Sequence, residues 1–71
     1  MIQIDALGLS CPEPLILAQQ AMKANPGEPL EVLVSTAAPR DNISRYAAKQ
    51  KREVRVDEIP EGFKLTISAK A

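Results

Sequence analysis

The 71-residue sequence contains no histidine and a single cysteine. Without histidine, a Cys–His nucleophile–base pair of the protease or acyl-transfer kind cannot be assembled. A structural zinc site has no ligand set either. One cysteine cannot close an internal disulfide, nor provide the Cys-x-x-Cys pair of a dithiol oxidoreductase. Aromatic side chains are scarce, one tyrosine and one phenylalanine, which argues against stacking readout of single-stranded nucleic acid. Three glycines form no phosphate-cradling loop. No apolar run approaches the roughly 20 residues of a membrane-spanning helix. Asp5 interrupts the opening apolar stretch, so no signal peptide is read there. An unpaired cysteine suits a reducing compartment. The expectation is a soluble, cytoplasmic protein with no metal, no cofactor and no membrane insertion.

What is present is an ordinary globular balance. Apolar residues make up 45% and charged residues 25% of the chain, enough to argue against wholesale disorder. The length allows one small domain, residues 1–71, whose core must draw on nearly every element. "MIQIDAL" alternates, with Ile2 and Ile4 on one side and Gln3 and Asp5 on the other, as a half-buried strand does. From Pro12 to about Asn25 the spacing turns helical through Leu15, Ala18 and Met22, and "NPGE" ends the helix. "PLEVLVS" is a second strand and "TAAP", 36–39, a loop. A second helix runs from about Arg40 to Gln50 on the contacts of Ile43, Tyr46 and Ala47. "EVRVDEI", with Val54 and Val56 inward, and "FKLTISA", with Phe63, Leu65, Ile67 and Ala69 alternating, flank a tight "PEG" turn. The order β-α-β-α-β-β predicts an open two-layer α/β sandwich: a four-stranded mixed sheet with two helices on one face. The first two strands, joined through a helix, should be parallel and the last two a hairpin.

The chemistry-bearing stretch is "LSCPEP", 9–14. Cys11 falls at or just before the start of the first helix. Pro12 and Pro14 fit a first turn, where a missing N–H has no partner to lose, and their fixed φ stiffens the exit of the thiol. The helix N-terminus favours thiolate or persulfide anion, and the Glu13 carboxylate opposes this. A glycine-containing turn followed by Pro-x-Pro is more framing than a core cysteine needs. What the absent residues leave for Cys11 is exchange with a sulfur centre supplied by a partner.

Charge is zero overall but uneven. Residues 1–39 hold Asp5, Glu13, Glu28 and Glu31 against Lys23, while 40–56 hold Arg40, Arg45, Lys49, Lys51, Arg52 and Arg55 against Asp41 and Glu53. Arg45, Lys49 and Arg52, about a turn apart, are expected to share the outer face of the second helix. That face is either simply solvated or a docking patch for an acidic partner.

"DALGLSCPEPL", Asp5 to Leu15, resembles the opening Asp-x-x-Gly-x-x-Cys-Pro-x-Pro signature of the TusA-like (SirA-like) sulfur-carrier family. Asp5, Gly8, Cys11, Pro12 and Pro14 match it. "PGEPLEVLVS" and "RDNISRYAAKQKREVRV" resemble the family's later elements, and "RDNISRYA" is similar to the branch linked to selenium metabolism. After the second strand, Thr36, Ala37 and Ala38 stand where many relatives carry acidic or amide side chains. The resemblance implies that Cys11 accepts sulfane sulfur as a persulfide from a donor such as a cysteine desulfurase or a rhodanese-type protein. It would relay that sulfur to an acceptor protein, as a sulfurtransferase component rather than a stand-alone enzyme. Asp5, Gly8, Pro12, Glu13 and Pro14 would support the thiol loop. A second reading is a regulatory or protein-binding module, linked to selenium or redox state, in which Cys11 carries no sulfur. RNA binding through the basic helix has little support at zero net charge.

Overall fold

The computed structural model describes residues 2–10 and 12–69. Cys11 lies outside the described residues, as do the terminal residues 1, 70 and 71. The elements are β1 (Ile2–Ala6), α1 (Glu13–Ala24), β2 (Leu30–Val34), α2 (Ala37–Lys49), β3 (Val54–Ile59) and β4 (Gly62–Ile67). They form one mixed sheet of order β1-β2-β4-β3, with β1 and β2 parallel and the remaining pairs antiparallel. This is the expected open sandwich. α1 lies against β1 and β2, and α2 against β2, β3 and β4.

Strand alternation explains the layering. Register aligns Ile2, Leu30, Ile67 and Val54 in one row and Ile4, Val32, Leu65 and Val56 in the next. Leu30, Val32, Val34, Leu65 and Ile67 from the sheet are fully buried with Ala18 of α1 and Ile43 and Ala47 of α2. Each large side chain removed from water this way contributes about 1.5–3 kcal/mol before entropy is counted. The other face carries Gln3, Glu31, Lys64 and Thr66, with Glu31 bonded to Gln3 and paired with Lys64 at 3.8 Å.

Three expectations need correction. α2 begins at Ala37 rather than Arg40, so the "TAAP" segment is mostly helical. Pro39 sits in the first turn, where no intrahelical donor is required of it, and packs inward. Val56 faces the helix side by its pairing with Leu65, yet remains 43% exposed because β3 is an edge strand. β4 ends at Ile67. There the Ser68 N–H donates to the Glu53 carbonyl and the Glu53 N–H to Ser68 Oγ, both at 2.9 Å, so Ala69 falls outside the strand.

The end of α2 sets up a further departure. Lys51 takes φ +60. Its N–H donates to the Ala48 carbonyl and that of Arg52 to the Ala47 carbonyl, each at 3.0 Å. This is a Schellman closure with a lysine where glycine is usual. It reverses the chain and turns Arg52 inward, to 5% exposure.

Candidate functional site

The turn that follows β1 is held by three hydrogen bonds. The Leu9 N–H donates to the Ala6 carbonyl at 3.3 Å, closing a tight turn with Gly8 at φ +78. That conformation selects glycine; space does not, since a Cβ at this position would have nothing within 4 Å. Asp5 Oδ1 accepts from the Leu7 N–H at 3.1 Å, an Asx-type brace at the strand end. The Gly8 N–H donates to Ser35 Oγ at 2.7 Å, tying the turn to the end of β2.

The helix entry is equally defined. The Glu13 N–H donates to the Ser10 carbonyl and the Ile16 N–H to the Pro12 carbonyl, both at 3.0 Å. Pro12 is the exposed N-cap residue at φ −96, so α1 proper starts one residue after the expected position. Pro14 is buried at the second helical position, and the exposed Glu13 carboxylate sits in the first turn. Asp5 and Gly8 thus belong to the braced turn that follows β1, and Pro12, Glu13 and Pro14 to the entry of α1. Ser35 joins the turn without any local motif to announce it. Its signal is the parallel register, in which Ala6 pairs with Val34, so the residue after Val34 must flank the turn after Ala6.

The same end of the sheet carries a second brace. The Arg40 guanidinium lies 4.6 Å from the centroid of the Phe63 ring and donates through Nε to Asp41 Oδ1 at 2.9 Å. That hydrogen bond, with the positive charges of Arg40 and Arg45, holds the Asp41 carboxyl below the usual carboxylate range. Gly62 abuts the end of β2, where a Cβ would strike the Val34 carbonyl oxygen and Ser35 Cα.

The expected trio of cations does not hold together. Arg45 and Lys49 are exposed on α2, with Arg45 Nη2 donating to Asn42 Oδ1 at 2.8 Å. Arg52 is instead internal. Its Nε donates to the Ser68 carbonyl at 2.7 Å and its Nη2 to the Glu28 carbonyl at 2.5 Å. It fastens the end of β4 to the loop before β2, so it cannot share an exposed face with the other two. Among the described residues, no group of three or more Cys, His, Asp or Glu is placed to hold a metal ion, and no helix is long and apolar enough to cross a membrane.

The chain is similar to known proteins along nearly its whole length. The family described as "Sulfurtransferase TusA" matches residues 2–69. A relative from Archaeoglobus fulgidus, described as a "putative sulfur carrier protein", is 36% identical over 55 residues, 76% of this chain and 71% of that protein. The crystal structure of a SirA-like protein from Desulfitobacterium hafniense superposes with a TM-score of 0.91 at 34% identity, covering 100% of both chains.

Proposed function

This chain belongs to the TusA sulfurtransferase family, and from that premise we propose that it is a sulfur carrier whose Cys11 takes up sulfane sulfur as a persulfide and passes it to a partner protein. The observation that carries the reading is the braced frame on both sides of Cys11: the Gly8–Ser35 tie before it and the Pro12–Pro14 helix entry after it. A fixed frame reduces the ordering cost of presenting one atom to another protein's active site.

The chemistry is transpersulfidation. The Cys11 thiolate attacks the outer sulfur of a donor persulfide; a sulfur–sulfur bond forms as the donor's breaks, and the donor cysteine leaves as thiolate. The acceptor's thiolate repeats the step on the Cys11 persulfide. No net oxidation occurs and no external electron carrier is required. The N-terminal end of α1 favours the anionic forms, and Glu13 moderates that preference. A cysteine desulfurase or a rhodanese-type protein is the proposed donor class, and a reducing cytoplasm the compartment that keeps the thiol available.

The direct test is intact mass after incubation with a cysteine desulfurase and cysteine, and separately with a rhodanese and thiosulfate. A gain of one sulfur that is removed by reductant and absent from Cys11→Ser is expected. No gain from either donor, with Cys11 inaccessible to an alkylating reagent, would overturn the carrier reading in favour of a binding module.

A further inference from the structure

The helical layer carries a groove that the thiol frame does not use. α1 and α2 run in the same direction, because each returns from one of two parallel strands. Between them lies a hollow of about 360 Å³ lined by Leu15 and Gln19 of α1 and by Arg45, Tyr46 and Lys49 of α2. It continues past Tyr46 into a second hollow of about 240 Å³ that includes Lys23, towards the C-terminal ends of both helices. Leu15 and Tyr46 are half-buried and give an apolar floor.

The charge along this groove has one sign. The only carboxylates on either helix are Glu13, in the opening turn of α1, and Asp41, just past the opening turn of α2 and bonded to Arg40. From Pro14 of α1 and Asn42 of α2 onward, the helices carry Lys23, Arg45 and Lys49 and no acidic residue. Among the described residues Lys23 and Lys49 take part in none of the ion pairs. The opposite character prevails at the thiol end, where Asp5, Glu13, Asp41, Glu58 and Glu61 outnumber Arg40 and Lys64.

We propose that the α1–α2 groove docks an acidic, amphipathic α-helix of a partner protein. Its carboxylates would meet Arg45, Lys49 and Lys23, and its apolar side chains would rest on Leu15 and Tyr46. The α1 helix of 12 residues is about 18 Å long, which matches roughly three turns of a docked helix. Charge complementarity selects the acidic partner. The apolar floor and the carboxylates at the thiol end select a protein segment over a nucleic-acid backbone, which would be repelled on leaving the groove. Leu15 stands about one turn from Pro12, so a partner held in the groove would reach over the thiol frame. That the partner is the sulfur donor or acceptor rests on the proposed carrier role; the groove itself does not.

The test titrates the full ¹⁵N-labelled chain with a synthetic helical peptide bearing glutamates on one side and leucines on the other. The same peptide with glutamine for glutamate, and an oligouridylate, are run beside it. Amide shifts confined to Leu15, Gln19, Tyr46, Lys49 and their neighbours are expected. Lys49→Glu, and Arg45→Glu with Lys49→Glu, should weaken binding, the double variant by roughly tenfold or more, with the rest of the spectrum unchanged. The glutamine peptide should bind comparably weakly. Absence of groove shifts at millimolar peptide, indifference to charge reversal, or tighter binding of the oligouridylate at these residues would overturn the proposal. Since no sulfur moves in this experiment, its failure leaves the mass gain on Cys11 to stand or fall separately.

Discussion

Arg52→Ala tests whether a cation in a basic stretch is structural or available to partners. The guanidinium is 5% exposed and donates two charge-assisted hydrogen bonds, to the carbonyls of Ser68 and Glu28. Bonds to charged groups contribute about 1.5–3 kcal/mol each, so losing both costs about 3 kcal/mol or more. That is a large share of the roughly 5–15 kcal/mol that holds a small domain together. In a domain of this size about 1 kcal/mol moves Tm by about 4–8 °C, so the melting temperature should fall by about 12–24 °C. Urea unfolding of wild type, Arg52→Ala, Arg52→Lys and Lys49→Ala provides the measurement. Lys49→Ala should stay within about 0.5 kcal/mol of wild type, as an exposed site does. Arg52→Lys should recover only part of the loss, because an ammonium lacks the fork that serves both carbonyls. A loss below about 1 kcal/mol for Arg52→Ala would refute the structural assignment and return Arg52 to the set of residues free to meet a partner.

Two further outcomes concern the end of the sheet around the thiol frame. Ser35→Ala removes the acceptor of the Gly8 N–H; the Gly8 amide should exchange with solvent faster and stability fall by about 0.5–1.5 kcal/mol, and an unchanged Gly8 exchange rate would show that the tie does not hold the turn. Asp41 should titrate below the usual carboxylate range in wild type, as followed by NMR of its carboxyl, and move back towards it in Arg40→Gln, since the Arg40 hydrogen bond is the largest cause. A depressed folded pKa means that this contribution is present above the ordinary carboxylate value and disappears as pH falls through the folded one; an Arg40→Gln titration identical to wild type would exclude the pairing.

Much of the fold is legible in the sequence because its signals are local. Alternation at Ile2 and Ile4, at Leu30, Val32 and Val34, and at Leu65 and Ile67 marks strands with one buried face. Pro26 and Gly27 mark the end of α1. Pro39 misleads for a local reason as well. Proline stops a helix from within but is accommodated in its first turn, and "TAAP" alone does not say which turn it occupies. Alternation assigns Val56 to the correct face, but whether anything covers that face at an edge strand is a question of helix placement.

The candidate site divides along the same line. Residue order by itself set the framing of Cys11 between a glycine turn and Pro12–Glu13–Pro14, because turn and helix-entry preferences depend on neighbouring residues. It also set the absence of histidine and of a second cysteine, and with them the chemistry left to a lone thiol. The tertiary structure decided that Ser35 braces Gly8, because contacts 27 residues apart exist only once β1 and β2 pair. It decided too that Arg52 leaves the company of Arg45 and Lys49. Helical periodicity carries a side chain to the same face only while the helix continues. Here the helix stops at Lys49, and Lys51 at positive φ sends the Arg52 guanidinium inside.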